Sequence, residues 1–421
     1  MTTQQPQTVS KRALFVISLC AGFLFYKYIL QVYPSIITNE LMRDFNLTGA
    51  GLGNLAATFY YTLLVMQLFV GVMLDKWSTR VLTCVAIMVC AVGTIVFAQS
   101  HSNFMACASR GLMGIGVAFA TVAYMKLAAV WFPANRYAVV GGLLATAAMT
   151  GAVFGEAPLS YLISYFGWRE AMLYVGFAGV ILALLFLFVV RDSPFKITSA
   201  QPKDPFSWQA IIVVLKDKRN WLLTFYSGLA FSPLVILGGL WGNPFFQTAY
   251  HVNATTSGAM VSLVFIGLGI GSPVIGWISD YWGNRLHVMI YSMALSFVCL
   301  AAVFYVPGLP LWLLSTLLFL FGFFLGTFML AFAIGKEINS LAVTATVIAM
   351  INASDAILDA ITEPAIGKFL DWRSHGVIVN GMHYFTAQDY RYALSVLPLY
   401  LLLALVCLIW LNKCDYQQSS V

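Results

Sequence analysis

Gly71-Val-Met-Leu-Asp75-Lys-Trp-Ser-Thr-Arg80 and Gly276-Trp-Ile-Ser-Asp280-Tyr-Trp-Gly-Asn-Arg285 share one spacing, Gly-x3-Asp-x4-Arg, in the two halves of a 421-residue chain. Each follows one long apolar run and precedes another, so each reads as a short loop joining two membrane helices. The same polar loop at the same place in both halves implies a duplicated six-helix unit.

The composition agrees. Apolar residues make up 61% of the chain and charged residues 9%, against about 45–50% and about 25% in soluble domains. A helix crosses a bilayer in about 20 residues. Twelve stretches qualify, near 13–33, 50–74, 81–99, 104–130, 138–161, 170–190, 220–245, 256–279, 286–306, 309–335, 341–368 and 392–412. The expected fold is therefore an all-α membrane protein with 12 transmembrane helices in two six-helix halves. Lys11-Arg12 leads into a first run too long for a signal h-region and without a small-residue cleavage site, so it reads as a true span. The seven cysteines show no metal-ligand spacing and read as small packing residues. No metal and no cofactor is expected. The net charge of +6 gives no nucleic-acid signal, because the charges gather in loops on one side.

With the N-terminus cytoplasmic, most of the 22 basic residues fall on the cytoplasmic side, Lys11, Lys76, Arg80, Arg285 and Lys413 among them. The outer side receives Arg43, Arg169, Lys368, Arg373 and Arg391. This satisfies the positive-inside rule and puts both termini in the cytoplasm. The long polar stretch from Arg191 to Arg219 carries Ser193-Pro194, Pro202 and Pro205. It divides the chain into an N-terminal half at 1–191, a cytoplasmic linker at 192–219 and a C-terminal half at 220–421. A second echo pairs helices five and eleven. Glu156-Ala-Pro158 is followed by Gly167-Trp168-Arg169, and Glu363-Pro364 by Asp371-Trp372-Arg373.

These loops resemble the signature of the major facilitator superfamily between helices two and three and between eight and nine. Arg110-Gly-Leu-Met-Gly114-Ile-Gly116 is similar to its Arg-x3-Gly-x-Gly element in helix four, and Gly151-Ala-Val-Phe-Gly155 near Pro158 to its glycine-proline element in helix five. One departure stands in the first loop: Ser78 replaces the usual glycine, whereas Gly283 keeps it in the second. Tyr33-Pro-Ser35, Glu40-Leu-Met-Arg-Asp44-Phe45, Leu52-Gly53 and Pro364-Ala-Ile-Gly367-Lys-Phe-Leu-Asp371 look like one branch of the family. That branch holds the phagosomal nutrient transporters of intracellular bacteria and the lysosomal dipeptide transporters. The resemblance implies transport of amino acids, short peptides or nucleosides, and a bacterial inner (cytoplasmic) membrane.

The loop chemistry suggests a gate. Gly71 and Gly276 would remove a side chain where a helix approaches its neighbour closely. Asp75 and Asp280 stand at cytoplasmic helix ends, where carboxylates meet amides or arginines. Arg80 and Arg285 start the following helices and are the natural partners.

Ionisable groups in the bilayer core are rare and costly, about 2.5–3.5 kcal/mol each on insertion scales. On helix eleven Asp355, Asp359 and Glu363 fall at i, i+4 and i+8, one stripe on one face. Three carboxylates in line cannot all stay ionised away from water, so they suit proton coupling or a cationic group. Glu156 in helix five joins them as a proton-coupling candidate. In the N-terminal half the sign reverses. At about 1.5 Å per residue, Lys27 in helix one and Arg110 in helix four reach one depth. Both suit a substrate carboxylate, although Arg110 paired with Glu156 would instead brace the half. Lys126, nearer the cytoplasmic end, reads as snorkelling. Tyr28, Tyr60, Tyr61, Tyr124, Trp241, Asn243 and Asn352 are candidate lining residues.

Opposed charges in the two halves suit a zwitterion. The expected function is secondary active transport of a small polar nutrient, an amino acid or short peptide first, coupled to protons and working by alternating access as a monomer. Efflux of a drug or siderophore and nucleoside uptake are the alternatives. No nucleotide-binding loop or catalytic cysteine-histidine arrangement points to an enzyme, so the energy source is a gradient. The partners are then a small-molecule substrate, the proton and the lipid bilayer.

Overall fold

The computed structural model describes residues 11–132, 134–192, 212, 214–339, 341–379 and 382–419. The expected linker at 192–219 lies almost wholly outside the described residues. Helices carry the described chain: α1 Lys11–Val32, α2 Thr38–Asp44, α3 Gly49–Lys76, α4 Thr79–Ala98, α5 Asn103–Trp131, α6 Ala134–Phe154, α7 Ala157–Phe166 and α8 Trp168–Val189. There follow α9 Lys218–Ile236, α10 Gly242–Tyr250, α11 Ala254–Trp282, α12 Arg285–Tyr305, α13 Leu311–Leu325 and α14 Leu330–Glu337. The chain closes with α15 Leu341–Arg373, α16 Ala387–Leu394 and α17 Val396–Ser419. A two-residue antiparallel ladder pairs Ile378–Val379 with Met382–His383.

Among the described residues, 10 helical segments are long and apolar enough to cross a membrane. The two further expected spans fall on α6–α7, which is broken at Gly155 and Glu156, and on α15, whose charged residues, Asp355, Asp359 and Glu363 among them, lower its hydropathy.

The helix breaks follow proline chemistry. A proline lacks the N–H that a helix interior needs, and its ring crowds the carbonyl four residues back. Pro34 stands in a short 3-10 turn, Tyr33–Ile37, that ends α1. Pro158 follows the break at Gly155 and Glu156 between α6 and α7. Pro233 precedes a π-helical turn at Leu237–Trp241, which interrupts what the sequence suggested was one continuous span at 220–245. Such interruptions are tolerated at membrane depth only where neighbours satisfy the freed polar groups.

The chain packs as two compact units. The first takes Met1–Gln31, Thr58–Gly155 and Tyr161–Gln201. There α4 lies against α5 and α8. Lipid is as apolar as leucine, so tight van der Waals contact at small residues supplies the attraction. A Cβ on Gly116 would collide with the Ala86 carbonyl of α4, which is why the glycine element of α5 is needed. Gly71 corrects an expectation: a Cβ there would meet nothing within 4 Å, and the same holds for Gly276 in the second unit. Among the described residues, neither glycine serves a close approach.

The second unit takes Val32–Ala57, Glu156–Ser160 and Pro202–Val421. In it α9 packs on α15 and α17, and α11 on α13. Two short segments from the N-terminal part of the sequence, Val32–Ala57 and Glu156–Ser160, are therefore built into the unit that holds the C-terminal helices.

Candidate functional site

In the second unit, α15 turns Asp355, Asp359 and Glu363 into the protein; each is at most 7% exposed. The facing helix α9 supplies hydroxyl donors. Ser227 Oγ donates to Asp355 Oδ1 at 2.9 Å, and Ser232 Oγ donates to Asp359 Oδ1 at 2.6 Å. Trp241 Nε1, on the π-helical turn, donates to the Glu363 main-chain carbonyl at 3.3 Å. Among the described residues neither aspartate lies in an ion pair. A hydroxyl satisfies a carboxylate oxygen without cancelling its charge, so the stripe is suited to take up a proton or another cation.

A second buried group forms where three helix breaks meet. Ser35 Oγ, on the turn after α1, donates to Glu156 Oε1 at 2.9 Å. Asn243 Nδ2, at the start of α10, donates to Glu156 Oε2 at 2.7 Å and to Ser35 Oγ at 2.9 Å. All three side chains are fully buried. The pairing of Arg110 with Glu156 weighed from the sequence gives way here: the carboxylate is taken by these two donors. In the same unit, Asp371 at the end of α15 accepts from the Gly49 and Ala50 amides at 2.6 and 2.8 Å, an anion on the N-terminus of α3.

In the first unit, Lys27 is half-buried on α1 with its ammonium 5.2 Å from the centre of the Tyr28 ring. Arg110 is fully buried; its Nη1 donates to the Leu30 carbonyl at 2.7 Å and its guanidinium lies 4.8 Å from the Phe59 ring centre. Tyr124 is buried too, its hydroxyl donating to the Val140 carbonyl at 2.6 Å. Both therefore make contacts that hold helices together. Tyr61 in the first unit and Asn352 in the second are exposed, while Tyr60 is buried.

The repeated loops differ in detail. Arg285 bridges Asp280 Oδ1 at 2.9 Å and Glu337 Oε1 at 2.8 Å, as the sequence suggested for the aspartate. Arg80 does not take the expected role. Its Nε donates to the Leu187 carbonyl at 2.7 Å, and Asp75 instead lies 3.5 Å from Lys126, which also donates to the Leu74 carbonyl. Lys126 thus snorkels onto a helix end with a named acceptor. Ser78, the departure from glycine, caps α4 and donates to Asp192 Oδ2 at 2.5 Å, while Asp192 Oδ1 accepts from the Arg80 amide at 2.7 Å.

Sequence reasoning missed Ser35, Ser227, Ser232, Asp192, Glu337 and Asp371 as site residues. A serine in an apolar run changes hydropathy little. The one available signal was position: Ser35 and Ser232 each adjoin a proline.

A many-helix membrane bundle with buried ionisable groups is the build of a multi-pass membrane transport protein. The chain belongs to the Major Facilitator Superfamily, whose model matches residues 14–243. It is 24% identical to an uncharacterized transporter, YybO, of Bacillus subtilis, over 69% of this chain and 72% of that one. It is also 24% identical to a probable hexose phosphate transport protein of Chlamydia pneumoniae, over 73% and 74% of the two chains. The crystal structure of a bacterial homologue of the human lysosomal transporter Spinster, inward-facing and unoccupied, superposes with a TM-score of 0.77 at 15% identity, covering 96% of this chain and 98% of that one. The chain is a transporter, not an enzyme.

Proposed function

We propose that this transporter is a secondary active carrier for a small carboxylate-bearing nutrient, an amino acid or short peptide, working by alternating access. In this reading 12 helices span a bacterial inner membrane with both termini cytoplasmic. The observation that carries it is Lys27, a half-buried ammonium within α1 beside the Tyr28 ring, in no ion pair among the described residues. A cation at that depth is costly unless an anion meets it, and an anion that comes and goes is a cargo. The hexose phosphate named for the Chlamydia relative is also an anion, which supports the same side of the reading.

Asp355, Asp359 and Glu363 supply the proton or ammonium site. Tyr28, Tyr61 and Asn352 remain candidate cargo contacts, and Arg110, Tyr124, Trp241 and Asn243 shape their surroundings through the bonds they make. The Ser35–Glu156–Asn243 group and the Asp371 contact to α3 tie outer helix ends into the second unit, and opening outward has to break them. Asp75, Arg80, Asp280 and Arg285 govern the cytoplasmic ends, so neutralising both aspartates favours inward opening, measured as longer spin-label distances there.

A thermal-shift screen of the purified protein against amino acids, dipeptides, nucleosides and sugar phosphates tests the cargo, because only ligands of the folded state raise its melting temperature. Free carboxylates are expected to stabilise and their amides not to. Equal stabilisation by acid and amide overturns the carboxylate reading, and stabilisation by nucleosides alone replaces it.

A further inference from the structure

On the second unit, α9 and α17 leave a groove of about 670 Å³ between them. On α9 its wall is Trp221, Phe225 and Leu229; on α17 it is Leu403, Val406 and Trp410. The α9 positions recur at i, i+4 and i+8 and the α17 positions at i, i+3 and i+7, so each set is one helical face. That face of α9 is opposite to the one that carries buried Tyr226 and Ser227. The wall is apolar, and its large side chains are partly exposed, Phe225 at 53% and Trp410 at 59%.

The mouth is different. α9 begins with Lys218 and α17 passes Lys413 near its end, and both lysines line the same groove. The two helices run in opposite directions, which brings the two ammonium groups to one end and Leu229 and Leu403 to the other. Between those ends each helix rises about 15 Å, half of the roughly 30 Å hydrocarbon core. Neither lysine is in an ion pair among the described residues. The adjacent Arg219 is bound to Asp217 at 2.8 Å, and this hydrogen-bonded guanidinium holds the Asp217 carboxyl below its usual range, so the aspartate stays ionised and occupied.

We propose that this groove is a binding site for one anionic phospholipid, its phosphate between Lys218 and Lys413 and an acyl chain along Trp221, Phe225 and Trp410. The depth matches one leaflet, the wall is apolar where the chain lies, and the basic groups that line the groove among the described residues, Lys218 and Lys413, stand where a headgroup does. Trp221, which lines the groove, is held in place by its Nε1, which donates to the Leu215 carbonyl at 2.8 Å. The proposal rests on the chain being a membrane protein and is independent of what it carries.

The experiment uses the full-length protein in phosphatidylcholine vesicles doped with a small fraction of lipid brominated on its acyl chains, which quenches nearby tryptophan. A Trp221→Phe/Trp410→Phe variant defines the share of fluorescence owed to the groove. Brominated phosphatidylglycerol should quench that share at a lower mole fraction than brominated phosphatidylcholine. Each lysine near a lipid surface is worth about fivefold in binding, so Lys218→Ala/Lys413→Ala should erase most of the difference and Lys218→Arg/Lys413→Arg should keep it. Equal quenching by the two lipids in the unaltered protein overturns the proposal without recourse to a variant. So does a preference that survives the alanine pair, or a groove share that neither lipid quenches because a second copy covers it.

Discussion

The two Gly-x3-Asp-x4-Arg loops share a spacing and use it differently. In the second, Arg285 is clamped between Asp280 and Glu337, a charged triad at the end of α11. In the first, Arg80 turns to a neutral carbonyl, Asp75 to Lys126, and Asp192 caps α4 through Ser78 and the Arg80 amide. A similar contrast runs through the ionisable groups inside the two units: the first holds half-buried Lys27 and buried Arg110, the second buried Asp355, Asp359, Glu363 and Glu156. The shared spacing fixes where a residue sits along its helix. Which partner it meets is set by the neighbouring helices, and these differ between the two loops.

The largest expected effect removes the acidic side of that contrast. Asp359→Asn should abolish uptake driven by a pH gradient in proteoliposomes while keeping counterflow exchange of preloaded substrate. The amide still accepts the Ser232 hydroxyl, so the loss reports the charge. Equal loss of both modes would mark Asp359 as a cargo contact or a folding residue.

Next comes the basic side. Lys27→Ala should weaken binding of the free acid by about 30-fold to several thousand-fold, the range for removing one buried charged contact, and leave binding of the amide nearly unchanged. The same relative loss for acid and amide would make Lys27 a structural residue.

The loops themselves give a smaller effect that separates the copies. Arg285→Ala breaks two half-exposed ion pairs, each worth about 0.2–1 kcal/mol. Arg80→Ala loses one hydrogen bond to a neutral acceptor, about 0.5–1.5 kcal/mol. The melting-temperature loss at Arg285 should therefore shrink as salt rises from low to about 1 M, where the screening length is about 3 Å, whereas the loss at Arg80 should not. Matching salt dependences would mean that the two loops are electrostatically alike after all.

The smallest change is at Gly71, where a methyl group meets nothing within 4 Å among the described residues. Gly71→Ala in a helix interior should leave stability unchanged or raise it by up to about 1 kcal/mol. A clear fall in melting temperature would restore the close approach that the sequence suggested.

Much of the fold was legible because hydropathy and loop charge act along the chain. The position of the stripe on α15 could be read from i, i+4 spacing alone, and its burial followed from the cost of exposing carboxylates to lipid. Ser227 and Ser232 were illegible because a hydroxyl becomes a site residue only when another helix brings a carboxylate to it. Glu156 was visible as a buried charge, but its partners come from a turn at Pro34 and from the start of α10, just past the π-helical turn at Leu237–Trp241, and no one-dimensional period registers either. The expected role of Gly71 and Gly276 failed for the same reason, since a small residue marks room for a neighbour without saying that one has come.

By itself, then, the sequence determined a helical membrane protein with one polar loop spacing used twice and with ionisable residues set inside its apolar runs. Apolar length, charge bias and repeat spacing are properties of each helix alone. Only the tertiary structure decided that Glu156 joins Ser35 and Asn243, that Arg80 leaves Asp75, and that Lys218 and Lys413 share one groove. Those are distances between helices far apart in sequence, and they depend on how side chains pack rather than on how often they recur.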